Sequence, residues 1–374
     1  MGRWNGPEIL RAREEARAFA LRELTGPGTE AYEDEGAYPE EIRRAARPLL
    51  HYLTGSVMTR VAVIEEVCKV NPGLGLTAVE QPLFGSELVA MFGNERQKRE
   101  YLDRSVRGEA ISALAVTEPG GGSDVASVRT EARKEGGFYV LNGRKMFITN
   151  GSVADYLIVL ARTSVEEKRH RGLTLFIVDR GTAGLEATRL RGKMGVRPSV
   201  TTEVVLDGCR VPEENVLGQV GMGFYHVMEF FNRSRINVAA MSLGIAEGAM
   251  DILVGEVRGG RLEHMRKGHG MSLLSSLFTR VSLARAITYR AAEEAQDGRA
   301  NPALSSMAKK FASEVAVQVS SEVVRYLGQS GISGRAERFL RDARIMPIWE
   351  GTSEIEDLVI AREVLRGGLD FDAI

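Results

Sequence analysis

The stretch FYVLNGRKMFITNGSVADYLIVLARTS (138–164) decides the fold class. Its runs are short, β-branched or aromatic, and closed by Gly, Asn or charged residues, which is strand chemistry. Asn142-Gly143 between two such runs predicts a hairpin over 138–147. LTLFIVDR (173–180) and TTEVVLDGCRVP (201–212) continue the pattern. No helical crossover separates these runs, so an antiparallel, barrel-like sheet domain is expected over 113–217. On either side the apolar period changes to 3.6. Residues 8–24 place Ile9, Ala12, Ala16, Phe19, Ala20 and Leu24 on one face. Further helices are expected over 38–53, 57–69 and 74–92, with GPGTEAYEDEG (26–36) as a loop. Beyond 218, helices are expected over 222–257, 270–296, 301–327 and 353–366, interrupted by GISGRAERF (331–339). Helices of that length fit a bundle. The fold class is therefore α+β: an N-terminal helical domain (1–112), a β domain (113–217) and a C-terminal four-helix bundle (218–374).

Composition excludes several functions. The 374 residues include 49 basic and 50 acidic side chains, a formal net charge of −1. A nucleic-acid binder needs a basic face, and none is visible. Cys68 and Cys209 form no metal or redox spacing, and the five histidines are scattered, so no metal site is expected. The first twenty residues carry charges throughout and have no apolar signal core. No uncharged apolar run reaches membrane-span length. A cytoplasmic location is the expectation.

Three segments carry chemistry. In ALAVTEPGGGSD (113–124) a strand runs into three glycines, Ser123 and Asp124. Bare backbone N–H groups and flanking hydroxyls suit an anion, although a surface loop has the same composition. Neither the Walker nor the GxGxxG spacing is present. In MFITNG (146–151), Phe147 can stack on a planar ring and Thr149, two residues on along a strand face, can donate to it. In IWEGTSEIE (348–356), Ser353 and Glu356 fit a capping box, which places Glu350 in the turn before a helix. A partly buried carboxylate there suits a general base.

Together these segments resemble the acyl-CoA dehydrogenase family of flavoproteins. The resemblance runs over nearly the whole chain: TEPGGGSD (117–124), KMFITNG (145–151), MGVRPSVTTEVVLDGCRVPEENVLGQVGMGF (194–224), LGQSG (327–331) and LRDARIMPIWEGTSEIEDLVIAREVL (340–365). It implies an FAD-dependent α,β-dehydrogenation of an acyl-CoA thioester, with Glu350 removing the α-proton and the flavin taking the hydride. It assigns Leu114, Val116, Thr117, Gly122, Ser123, Phe147, Ile148, Thr149, Gly328, Gln329, Gly331, Thr352 and Glu354 to the cofactor. Asn232, Arg235, Gly351, Ser123 and Glu80 fall to the substrate. Some members carry the base at the position of Ser234, which cannot serve, and this favours Glu350. The Arg-x-x-Phe-Gly motif is absent from VRGGRLEHMRKGHG (257–270), where Arg258 is the candidate for a cofactor contact across subunits. The family further implies a homotetramer (a dimer of dimers), an electron-transfer flavoprotein as acceptor and a role in fatty acid metabolism. The same fold also serves acyl-CoA oxidases, enoyl reductases and carrier-protein-linked dehydrogenases. A flavin-binding scaffold without catalysis is the alternative of another class.

Overall fold

The computed structural model describes residues 4, 6–34, 38–80, 82–296, 298 and 300–367. The N-terminal helices are α1 (Pro7–Glu23), α2 (Glu40–Ala45), α3 (Leu50–Thr54), α4 (Val57–Val70), α5 (Pro72–Val79), α6 (Gly85–Phe92), α7 (Glu95–Gln97) and α8 (Asp103–Val106). A π turn, Lys98–Leu102, joins the last two. The strands are β1 (Ser112–Ala115), β2 (Glu131–Glu135), β3 (Phe138–Thr149), β4 (Tyr156–Arg162), β5 (Leu173–Asp179), β6 (Leu185–Arg189), β7 (Thr201–Pro212) and β8 (Val216–Leu217). The chain then returns to helix in α9 (Gly223–Arg258), α10 (Gly268–Ala295), α11 (Pro302–Leu327), α12 (Arg335–Ala343) and α13 (Ser353–Leu365). The helix–sheet–helix order is the expected one.

Internal contacts divide the chain into two compact units. The first holds the chain up to residue 78, residues 194–197 and residues from 232 onward; the second holds 79–193 and 198–231.

The first unit is helical. α1 buries the stripe expected of it, Ile9, Ala12, Ala16, Phe19 and Ala20. Glycines in α9 let it approach its neighbours. A Cβ on Gly244 would stand 2.4 Å from the Glu65 carbonyl, and one on Gly248 would stand 2.3 Å from both the Lys69 carbonyl and the Phe339 ring. Buried charge ties the helices together. The fully buried Glu65 accepts from Arg13 at 2.9 Å, from the Tyr289 hydroxyl at 2.5 Å and from Arg285. The short 194–197 segment belongs here because Val196 N–H donates to Asp342 at 2.6 Å. α9 is long and apolar enough to cross a membrane by length and composition. Its most apolar window is 78% buried within the protein, as in a core helix.

The second unit is built on an eight-stranded sheet, ordered β6-β7-β3-β2-β4-β5-β8, with β1 beside β4. The pairings β2–β3, β3–β7, β4–β5, β5–β8 and β6–β7 are antiparallel as expected. The sheet is nevertheless mixed, because β1 and β2 pair parallel to β4. Leu88, Val89 and Tyr101 of the helices pack with Ile158, Leu160, Leu175 and Ile177 of the sheet and with Phe230 in one core.

The structure corrects the hairpin at Asn142-Gly143. β3 runs straight through it, and the turn lies one strand earlier at Gly136-Gly137, with Gly136 at φ +61°. Asn142-Gly143 is instead a bulge against β7. Partners on both edges, β2 and β7, keep β3 extended, so local turn propensity loses to pairing. The glycine answers to packing: a Cβ on Gly143 would stand 2.4–2.7 Å from Thr130. Three smaller expectations change. Residues 27–34 form 3-10 turns rather than a plain loop, 74–92 is broken into α5 and α6, and 331–339 contains the start of α12.

Candidate active site

Glu350 lies in the turn between α12 and α13, inside the helical unit. It sits at φ +54° and Gly351 follows at +107°. A non-glycine residue in the left-handed region costs about 1–3 kcal/mol and persists only where its surroundings fix it. Here they do. A Cβ on Gly351 would stand 2.2 Å from Glu356 Oε1. Lys309 Nζ donates to the Gly351 carbonyl. Arg235 holds Glu356 through Nε at 3.0 Å and donates through Nη1 to Asn232 Oδ1 at 3.0 Å. The cap on α13 is Thr352, which accepts from Ile355 N–H, and not Ser353. Glu356 therefore closes no capping box and is buried on Arg235.

The Glu350 carboxylate accepts one short hydrogen bond, from Ser234 Oγ at 2.6 Å. Burial pushes its pKa above the ordinary carboxylate range. Ser234, Arg235 and Lys309 oppose that shift, and Glu356 adds to it. The result is a carboxylate that binds a proton more readily than an exposed one, which is what a base needs.

The glycine-rich loop and the MFITNG segment meet within the sheet unit. Lys145, fully buried on β3, donates to Val116 O at 3.0 Å and to Glu118 Oε1 at 2.9 Å. Met146 N–H donates to Thr117 O at 2.8 Å. Glu118 also accepts from the backbone N–H groups of Arg129 and Thr130, both at 2.8 Å. Burial pushes the Lys145 ammonium down to about 8, with Glu118 resisting. The carboxylate of the loop is thus turned inward and neutralised. The outer side keeps Gly120, Gly122 and Ser123 exposed, and Gly122 stands over the Thr117 side chain.

A bulge between Lys145 and Ile148 interrupts β3, and Phe147 sits in it at φ +61° with 67% of its surface exposed. Ile148 is buried and Thr149 half-buried. Strand alternation therefore does not relate Phe147 to Thr149, as the expectation from spacing required; the bulge re-aims the ring. An exposed aromatic, neutral hydroxyls on Thr117, Ser123 and Thr149, and a bare glycine backbone fit a planar ring carrying phosphates.

The chain matches three family models: the acyl-CoA dehydrogenase N-terminal domain over residues 6–109, its middle domain over 113–209 and its C-terminal domain over 221–365. The chain belongs to the acyl-CoA dehydrogenase family. It is 35% identical to an acyl-CoA dehydrogenase of Bacillus subtilis, with 96% of this chain and 98% of that protein covered. Butyryl-CoA dehydrogenase of Megasphaera elsdenii superposes with a TM-score of 0.87 at 30% identity, covering 96% of this chain and 99% of that one. A chain from the structure of the electron transferring flavoprotein of Acidaminococcus fermentans superposes at 0.90 with 31% identity, covering 98% and 100%. Acyl-CoA dehydrogenases are FAD-dependent oxidoreductases that dehydrogenate acyl-CoA, and this chain is one of them.

The remaining residues named for the acyl-CoA dehydrogenase site fall as follows. Leu114 and Val116 line the run from β1 into the loop. Arg258 is exposed in the last turn of α9, and its carbonyl accepts from Arg266. Gly328 and Gln329 are exposed after α11, with Gly328 at φ +58°; Gly331 is buried against Val324 O. Glu354 is exposed in the first turn of α13. Glu80 is fully buried and not on a solvent-facing helix surface. Ser199 Oγ donates to it at 3.1 Å, and burial pushes its pKa up to about 8. Sequence reasoning gave no role to Lys145, Glu118 and Lys309 and gave Glu356 only a capping role. Glu118, Lys145 and Glu356 lie inside the quoted segments and Lys309 outside them, but in each case the role arises from burial and pairing. Among the described residues no cluster of His, Cys, Asp or Glu suited to a metal ion is present.

Proposed function

We propose that this acyl-CoA dehydrogenase uses Glu350 as the base that takes the α-proton of the acyl thioester. The observation that carries this is the Glu350 carboxylate itself: held on a left-handed turn, partly buried, raised in basicity and hydrogen-bonded by Ser234 at 2.6 Å. When the proton leaves the substrate carbon, it passes to a Glu350 oxygen. Burial lowers the cost of neutralising that oxygen, since the charged form is the one desolvation penalises. Gly351 leaves the backbone beside the carboxylate without a side chain, as a thioester carbonyl needs. FAD, when bound, would supply the hydride acceptor for this chemistry, and Thr117, Gly122, Ser123, Phe147 and Thr149 are the residues that would hold it.

Acyl-CoA is the substrate class, and an electron transferring flavoprotein is the acceptor that the Acidaminococcus fermentans likeness supports. Exposed apolar side chains on α10 (Met271, Phe278, Leu283) and α13 (Leu358, Val364, Leu365) favour association of copies, in keeping with a homotetramer. The test is anaerobic addition of straight, branched and cyclic acyl-CoAs to the yellow holoprotein. One of them bleaches the flavin band. Glu350→Gln keeps FAD and abolishes bleaching; a Glu350→Gln protein that bleaches normally rules out the assignment.

A further inference from the structure

Lys309, on α11, belongs to none of the motifs and is nevertheless fully buried. Its Nζ donates to the carbonyl of Gly351, the residue directly after Glu350. Four groups surround it: the Glu356 carboxylate on α13, the Glu350 carboxylate in the turn, the Arg235 guanidinium on α9 and Glu314 further along its own helix. Burial pushes the ammonium down to about 8, and the carboxylates resist that. Two cations, Lys309 and Arg235, thus face two carboxylates, Glu350 and Glu356. Arg235 pairs with Glu356, and its Nη2 would stand 3.5 Å from a Cβ on Gly351, whereas Lys309 donates to the turn's backbone directly.

We propose that Lys309 is a positioning residue for Glu350: by fixing the Gly351 carbonyl and setting its charge against Glu350 and Glu356, it holds residues 350–351 in their left-handed conformation. The proposal rests on Glu350 being the base. Ser353 N–H donates to Pro347 O at 3.0 Å across the turn, a bond that joins its ends and leaves the two positive φ angles at 350–351 to other contacts. Glu356 blocks the glycine from one side, where a Cβ would stand 2.2 Å away, and Lys309 fixes its carbonyl. Without the tether the Gly351 carbonyl loses its side-chain donor, and the conformation that carries the Glu350 carboxylate is less firmly held. An amine that served only to neutralise Glu356 would have no need of the carbonyl.

The experiment compares Lys309→Met, Lys309→Arg, Lys309→Met/Glu356→Gln and Glu350→Gln as holoenzymes, with the acyl-CoA that bleaches the wild-type flavin fastest. FAD content and melting temperature are recorded for each. For Lys309→Met, kcat falls on the order of 100-fold, as a displaced catalytic group costs, while KM and FAD content stay near wild type. The acid limb of its pH–rate profile moves to higher pH. The groups facing Glu350 are Ser234 and Arg235 on α9, Lys309 on α11 and Glu356 on α13, and the variant removes one of the two cations. Lys309→Arg, which keeps charge and a donor, recovers most of kcat. The double variant restores charge balance but not the tether, so it folds and stays slow. It decides the matter if Lys309→Met does not retain FAD. Wild-type kcat and acid limb in Lys309→Met, or wild-type turnover in the double variant, overturn the proposal. An active Glu350→Gln refutes the base assignment instead, whatever the Lys309 variants do.

Discussion

Ser234→Ala tests the electrostatics of Glu350 directly. The hydroxyl donates to Glu350 Oε2 at 2.6 Å, and only the ionised carboxylate accepts it fully. Burial raises the Glu350 pKa and Ser234 is the first group opposing that rise. A hydrogen bond to a charged group contributes about 1.5–3 kcal/mol net. At 1.36 kcal/mol per tenfold, removing it changes the ratio of ionised to protonated Glu350 by about ten- to hundred-fold at fixed pH. The sign follows from the base being the ionised form. Without the donor, protonation persists to higher pH, so the acid limb of the rate moves upward. Below that limb Ser234→Ala is slower than wild type by up to the same factor. On the alkaline plateau the two converge. The assay is anaerobic stopped-flow flavin reduction, read as kcat/KM from acid to alkaline pH, with FAD content as control. A Ser234→Ala profile that overlays the wild type, or one displaced to lower pH, refutes the reasoning.

Other expectations rest on separate contacts. Gly351→Ala adds a Cβ at φ +107° and 2.2 Å from Glu356 Oε1; kcat falls by at least about 100-fold while FAD is retained, and steady-state rates check this. Lys145→Met leaves the partly buried Glu118 without its cation. Breaking a fully buried pair costs about 3–5 kcal/mol and this one less, since Arg129 and Thr130 still donate to Glu118; calorimetry shows a lower melting temperature and the flavin absorbance a lower FAD content. Glu65→Gln costs ~3–5 kcal/mol, because Arg13 and Arg285 lose a shared carboxylate. Burial alone would raise Glu65, but Arg13 and Arg285 outweigh it and hold its pKa below the usual value. Its contribution is therefore complete above the ordinary carboxylate pKa and lost as pH falls below it towards the lower folded-state value. Urea midpoints fall more steeply in wild type than in Glu65→Gln as pH is taken below the ordinary carboxylate pKa; equal slopes there contradict this.

Much of this protein was legible along the chain. The change of apolar period at 113 and again near 218 separates helix from sheet, because burying one face imposes a period of 3.6 on helices and 2 on strands. The motif order, with Glu350 before a helix and the glycine-rich loop before the sheet, identified the family and its cofactor. Local propensity failed where a segment has partners on both sides. Asn142-Gly143 reads as a turn, but pairing with β2 and β7 makes it a bulge, and its glycine answers to Thr130. Phe147 and Thr149 stand two apart, but the bulge at Phe147 removes the shared face that spacing implies. Glu80 offers no local sign of burial, yet it lies fully inside beside Ser199, 119 positions away in the chain.

The sequence by itself determined the class of chemistry, since residue types at motif spacing are local facts. Only the tertiary structure decided how the base is tuned. Ser234, Arg235, Lys309 and Glu356 come from three helices, and the low dielectric that makes their charges count exists only once those helices have closed over Glu350.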